Sequence, residues 1–219
     1  MTMFGFMGKI LRVDLSNSKI AEEPLKEQDC KMFLGGSGLA TKYLWDEVPK
    51  GADPLGPDNA LIFMTGPLTG TESPSAGRYC VVTKSPLTGF WGEANSGGNW
   101  GVHFKCTGFD GIIFKGASPK PVYLVIDEGK AELKDASKLW GKSVIETNNL
   151  IKQELGEDFE VACIGVGGEN LVKYACIIND LHRAAGRCGV GAVMGSKKLK
   201  AIAVRGSKEI KVANKEKFS

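Results

Sequence analysis

The sequence predicts an α+β fold made of two related halves. Three observations carry that expectation. Short apolar stretches recur between turn residues at strand spacing, a few segments switch to helical spacing, and the phrase Ala76-Gly77-Arg78 returns as Ala185-Gly186-Arg187. At 219 residues with 42% hydrophobic content, the chain is long enough to bury a sizeable core.

The elements follow in order. Lys9 to Leu15 alternates apolar and polar residues, Ser16-Asn17-Ser18 turns, and Lys19 onward leads away, which predicts a β-hairpin with a polar outer face. Lys26 to Leu34 is a short helix stopped by Gly35-Gly36, and Leu39 to Glu47 a second, ended by Val48-Pro49. Asn59 to Met64 is a buried strand. From Gly66 to Gly101 glycine dominates, with Arg78 to Thr83 as the one clear strand; so long a glycine-rich stretch reads as a binding surface.

Ile112–Lys115 and Val122–Ile126 are strands, the latter turning at Glu128-Gly129 into Ala131–Leu133. Ser137 to Leu155 carries the longest helical pattern and ends at Gly156. A strand at Glu160–Ile164, a second glycine loop at Gly165–Asn170 and a strand at Tyr174–Ile178 precede a third glycine loop at Ala184. A short helix around Val193–Leu199 and a strand Ala201–Arg205 complete the pattern, and no linker composition divides it.

Composition narrows the function. A net charge of +3 is too mild to argue for nucleic acid, and Lys197, Lys198 and Lys200 form the one tight basic group, either a solvated face near a helix end or a phosphate contact. No run approaches the roughly 18 apolar residues a membrane span requires, and the N-terminus lacks an export signal, so a soluble cytoplasmic protein is expected. The six cysteines are dispersed without a C-x-x-C, and with two histidines neither a zinc knuckle, a local iron–sulfur motif nor a histidine-built metal site is written here.

The Gly-Arg phrase makes chemical sense as an anion clamp. Glycine lets backbone N–H groups approach an oxygen closely, and arginine supplies a fork for a phosphate. One such phrase is explained by a tight turn followed by a surface arginine; two, beside Asn95-Ser-Gly-Gly98 and Gly165-Val-Gly-Gly168, favour the clamp. Neither copy has Walker spacing, and the Rossmann glycine spacing fits poorly.

These residues carry a resemblance. Gly66-Pro-Leu-Thr-Gly-Thr71, Gly77-Arg78-Tyr79, Val82 to Gly89, Ala94-Asn-Ser-Gly-Gly98, Gly167-Gly-Glu-Asn170, and Arg183-Ala-Ala-Gly-Arg187 running to Lys197 fall in order and span nearly the whole chain. In them the chain resembles the N-terminal domain of the tungsten-containing aldehyde ferredoxin oxidoreductases. The resemblance implies two pseudo-twofold related, mainly antiparallel halves, roughly 1–110 and 111–210, followed by the start of a linker at 211–219. It implies a base for a tungsten bis-pterin centre (tungstopterin), with one clamp for each pterin phosphate.

By the same resemblance, Arg78 sits between a pterin and an iron–sulfur cluster. Asn95 and Ala184 hold, through backbone carbonyls, a Mg²⁺ that bridges the phosphates. Gly97, Arg183, Gly186 and Arg187 line the pterin phosphates, and no catalytic residue is expected in this chain. The implied reaction oxidises an aldehyde to a carboxylic acid and passes electrons through a four-iron four-sulfur cluster to ferredoxin.

The cluster cysteines and substrate cavity of that family lie in a further part of the enzyme, so the remaining domains or subunit are expected partners. Ferredoxin, the aldehyde substrate and a second copy of the chain complete the partner list, without nucleic acid or membrane. A pterin-binding module without catalysis of its own, and a relative acting on another substrate, are the alternatives. Ser37 stands where the family pattern usually has Arg, and Cys188 where Gly is common. An exposed apolar patch is expected where other domains cover this one.

Overall fold

The central strands of this protein are placed by their apolar side chains, which Leu61–Thr65, Tyr79–Lys84, Gly111–Lys115, Val122–Asp127 and Leu199–Arg205 turn to both faces. In the computed structural model, which describes residues 3–218, β1 (Lys9–Asp14) and β2 (Lys19–Pro24) form the opening hairpin. Helices α1 (Glu27–Phe33) and α2 (Gly36–Glu47) follow, then β3 (Leu61–Thr65), β4 (Tyr79–Lys84), β5 (Trp91–Ser96), α3 (Trp100–Cys106) and β6 (Gly111–Lys115). The second half runs β7 (Val122–Asp127), β8 (Lys130–Asp135), α4 (Val144–Leu155), β9 (Glu160–Cys163) and the one-turn α5 (Val166–Glu169). It continues through β10 (Ile177–Asn179), β11 (Arg183–Ala185), α6 (Val190–Ser196) and β12 (Leu199–Arg205), and α7 (Lys215–Phe218) comes last.

The two six-stranded sheets share one strand order: β2-β1-β6-β3-β4-β5 and, read from its far end, β8-β7-β12-β9-β10-β11. In each, the last strand lies parallel to the first, β6 beside β1 and β12 beside β7. The other pairings are antiparallel. The result is an α+β fold with two mixed, mainly antiparallel sheets. The first sheet takes in residues up to Lys115, because β6 closes it between β1 and β3.

This order also corrects the repeat read from the sequence. Arg78 precedes β4, whereas Arg187 follows β11, the counterpart of β5. The equivalent segments are therefore Asn95-Ser96-Gly97 and Ala184-Ala185-Gly186, each closing its strand. The shared Ala-Gly-Arg letters stand at unlike places.

Inner rows of both sheets meet in one core, with Leu61, Phe63, Tyr79 and Val81 on one side and Leu124, Ile126, Ala162 and Ile202 on the other. Between them lie α3, against β9 and β12 of the second sheet, and α6, against β3 and β4 of the first. The Trp100 indole donates to the Ile202 carbonyl at 3.1 Å, so each half inserts its helix into the other's sheet. Outer rows pack under α1 and α2 on one side and under α4 on the other.

Several boundaries differ from the sequence reading. Helix α4 starts only after Ser143, whose side chain and Glu146 form a reciprocal capping box that fixes the first turn there. The strand expected at Tyr174–Ile178 is the three-residue β10, and the glycine loop expected at Ala184 begins inside strand β11. At the end of the second half, Ile210 is buried and the Gly5 amide donates to the Lys211 carbonyl at 2.7 Å; residue 219 lies outside the described residues. The basic trio is neither solvated nor a phosphate contact in two of its members. Lys197 is buried and donates to the Asn59 and Gly116 carbonyls, and buried Lys200 pairs with Glu169.

Candidate functional site

Strands β5 and β11 are the edge strands of their sheets and lie side by side. Their ends, with the turn before β4 and the β10–β11 turn, enclose a cleft of about 450 Å³. Arg78, Asn95, Gly97, Arg183 and Ala184 all line it, so five of the residues singled out from the sequence come together here. Gly186 and Arg187 do not line it. Beyond Arg187, Cys188 stands against Gly92, three residues and thus about 10 Å along β5 from Asn95.

The cleft lies at the seam of the pseudo-symmetry. Asn95 and Ala184, the penultimate residues of β5 and β11, are counterparts in the two halves, and so are Gly97 and Gly186. A Cβ on Gly97 would meet no atom of the chain within 4 Å, and one on Gly186 would make only ordinary contact with Ala184. Neither residue has positive φ. No contact among the described residues requires glycine at either position; a Cβ at Gly97 would instead take up open space, which is the condition for backbone to approach a ligand.

Gly77 and Gly98 have the opposite reason for being glycine. A Cβ on Gly77 would stand 2.8 Å from the Gly98 carbonyl, and one on Gly98, at φ +92°, would stand 1.9 Å from Asp180 Oδ2. Their bare backbones pack together and build the cleft wall.

Charge in the cleft is unbalanced. Arg12 and Arg205 pair with carboxylates, whereas Arg78, Arg183 and Arg187 make no ion pair among the described residues and are exposed. Two free guanidinium groups and exposed glycine backbone make an anion-receiving surface. Among the described residues no group of three His, Cys, Asp or Glu is placed to hold a metal, so a cation here would take backbone, amide or ligand oxygens, as hard Mg²⁺ does.

The floor was missed by sequence reasoning. Asn179, fully buried, accepts from the Tyr79 hydroxyl at 2.9 Å and the Ser96 hydroxyl at 2.6 Å, and donates to the Gly97 carbonyl at 2.9 Å. Burial raises the Tyr79 pKa above its ordinary value, so the phenol stays a donor. Asp180 accepts from the Asn99 amide in a turn where Asp180 and Leu181 both take positive φ. The available signal was the pair Asn179-Asp180 at a strand end, two residues suited to left-handed turns. His182 also lines the cleft.

An apolar groove lies to one side, formed by Trp45, Phe90, Trp91, Leu44 and Val48, with Trp45 86% exposed and Phe90 76% exposed. It is an exposed apolar surface among the described residues. Ser37, on α2, donates to Glu93, which also accepts from the Asn95 side chain.

Residues 10–206 match the family described as aldehyde ferredoxin oxidoreductase, N-terminal domain. The chain belongs to that family. The chain is 55% identical over 99% of its length to the tungsten-containing aldehyde ferredoxin oxidoreductase of Thermococcus kodakarensis, and 54% identical to that of Pyrococcus furiosus. It is 40% identical to the WOR-like subunit of an aliphatic sulfonate oxidoreductase, also from Pyrococcus furiosus. It spans about 36% of the first two relatives and 37% of the third.

Among solved structures, the active-site complex BamBC of benzoyl coenzyme A reductase with 1,5-dienoyl-CoA superposes with a TM-score of 0.96. There the identity is 44%, covering 98% of this chain and 33% of the other. Among the described residues, no helix of this domain is long and apolar enough to cross a membrane.

Proposed function

We propose that this chain is the cofactor base of a cytoplasmic oxidoreductase that converts aldehydes to carboxylic acids with ferredoxin as electron acceptor. Arg78, Arg183 and Gly97 of the cleft would hold the phosphate ends of a tungsten bis-pterin, and Asn95 and Ala184 would offer oxygens to a Mg²⁺. The observation that carries the reading is the coincidence, in one cleft on the pseudo-twofold seam, of two unpaired arginines with Gly97, a glycine the fold itself does not need. Relatives above 50% identity whose names specify tungsten and aldehyde ferredoxin oxidoreductase support the same choice of cofactor and substrate.

When bound, a tungsten centre would supply the oxygen-transfer and two-electron chemistry. The chain's own residues bind and orient. Arg78 and Arg183 neutralise phosphate charge and give it direction through the planar guanidinium. Backbone at Gly97 and Gly98 comes close without side-chain obstruction, and the Asn95 and Ala184 carbonyls offer matched oxygens to Mg²⁺. Asn179 keeps the two strand ends in register, so both clamps address one ligand. Gly186 and Arg187 lie beyond the cleft and would contact a ligand long enough to reach along β5. The remaining domains cover the apolar groove and complete the site.

A second reading has its own support. The same domain occurs at 40–44% identity in proteins named for a sulfonate and for a coenzyme A thioester, so the base tolerates different substrates. The test common to both is binding of inorganic pyrophosphate to the chain, followed by titration calorimetry. Loss of binding in Arg78→Ala and Arg183→Ala supports the clamp, and unchanged binding in both refutes it.

A further inference from the structure

Arg78 is held in the cleft by its backbone alone. Its side chain is exposed and makes no hydrogen bond or ion pair among the described residues, so the direction of the guanidinium depends on how the main chain at 78 is placed. Strand pairing does not place it. β4 begins at Tyr79, which pairs with Thr65 of β3 and Ser96 of β5, and Arg78 lies one residue outside both ladders.

A side chain completes what the ladders leave open. Thr69, only 4% exposed, donates its hydroxyl to the Arg78 carbonyl at 2.9 Å, and the same oxygen accepts the Gly66 amide at 3.0 Å. Gly66 leaves β3 and Arg78 enters β4, so one hydroxyl ties the two ends of the loop between them. The Gly70 amide closes the neck from inside, donating to the Ala76 carbonyl at 2.7 Å. Beyond this neck lies Ser75, and Gly77 follows it; both line the cleft beside Arg78.

The tie has a fixed point to pull against. The Lys105 ammonium, fully buried on α3, donates to the Gly66 and Gly5 carbonyls and anchors the near end of the loop. At the far end Gly77 packs bare backbone on Gly98, where an added Cβ would come within 2.8 Å of the Gly98 carbonyl. Arg78 itself has one bond on its carbonyl, from Thr69.

We propose that Thr69 is a positioning residue for the anion cleft, aiming Arg78 through the hydrogen bond to its carbonyl. A hydroxyl can give and take a hydrogen bond at once, which serine reproduces and valine does not. Without it the Gly66 amide and the Arg78 carbonyl lose their partner together, and the peptide that follows Arg78 is free to turn. A small rotation there becomes a large displacement of the guanidinium, which stands at the end of a long side chain. That Arg78 receives phosphate rests on the function proposed above; that Thr69 holds Arg78 does not.

The test uses the 219-residue chain with Thr69→Val, Thr69→Ser and Thr69→Cys, read by pyrophosphate calorimetry and by backbone amide NMR. Thr69→Val should weaken pyrophosphate binding roughly fivefold, Thr69→Ser should restore it, and Thr69→Cys, a weaker donor, should fall between. The cysteine and serine variants carry the comparison if valine prevents folding. In an Arg78→Ala background the same replacements should change affinity no further, the signature of action through that arginine. By NMR, Thr69→Val or Thr69→Cys should lower backbone order at Ala76, Gly77 and Arg78 while Asn95 and Ala184 keep theirs.

Affinity indifferent to the group at 69 overturns the proposal, and so does a loss that persists in the Arg78→Ala background, since that marks general damage to the fold. If the wild type binds no pyrophosphate, the phosphate clamp fails and the NMR comparison decides by itself. Loosening confined to Ala76–Arg78 then supports the tie, and unchanged order there overturns it.

Discussion

Asn179 Oδ1 accepts the Tyr79 hydroxyl at 2.9 Å, tying β10 of the second sheet to β4 of the first beneath the cleft. The same oxygen takes the Ser96 hydroxyl, and the Asn179 amide nitrogen holds the Gly97 carbonyl. One buried side chain therefore sets the spacing of the two halves where the ligand is expected.

Removing that side chain should be costly. Asn179→Ala leaves two hydroxyls and one carbonyl to find new partners, and the expected loss is roughly 2–4 kcal/mol. Tyr79→Phe, which removes one bond, should lose about 1 kcal/mol. Urea midpoints at constant m-value check both, and an Asn179→Ala protein as stable as wild type would show that the clamp does not join the halves.

Arginine replacement should separate binding from stability. Arg78→Ala and Arg183→Ala break no ion pair, so unfolding free energy should stay within about 0.5 kcal/mol. Pyrophosphate affinity should fall roughly tenfold or more, in keeping with the loss of a charge-assisted hydrogen bond. Lys19→Ala, on the edge hairpin, should leave both unchanged.

Adjacent glycines should respond in opposite ways. Gly97→Ala should fold normally and bind anion poorly, because the added Cβ meets no atom of the chain. Gly98→Ala should unfold more easily, since its Cβ meets Asp180 and its φ of +92° disfavours any side chain. Thermal melts beside binding isotherms decide this, and equal stability of the two variants would contradict the packing described.

A pH effect is expected from a buried lysine of the core. Burial, opposed by Asp110, pushes Lys105 down to about 8. Between that value and the ordinary lysine value the unfolded chain holds more protons than the folded one, so this residue's contribution to stability rises with pH across that window. The stability of wild type relative to Lys105→Met should therefore improve from pH 8 to pH 10 in paired denaturation curves. A difference independent of pH would mean that Lys105 titrates normally.

The outline of this fold is legible in the sequence because most strands expose one apolar row to each core layer. Leu61–Thr65 and Leu199–Arg205 can hardly be anything else. Strand β5 escapes notice because Gly92, Glu93 and Asn95 interrupt its pattern; its pairing with β4, and not its composition, makes it a strand. The three residues of β11 are too few to show a period. In the cleft, glycine and arginine are visible as chemistry, while Asn179 and Asp180 acquire meaning only through partners some eighty to a hundred positions away. Lys197 and Lys200 misled for the same reason: a basic cluster looks solvated until tertiary carbonyls surround it.

The most direct test of the central claim is elemental analysis of the purified chain for tungsten, molybdenum, magnesium, phosphorus and iron, after expression in a host that makes the cofactor. Tungsten should be found with one phosphorus for each pterin and with magnesium, all lost together in the Arg78→Ala, Arg183→Ala double variant. Wild-type chain carrying neither metal nor phosphorus, or a double variant retaining both, would contradict it.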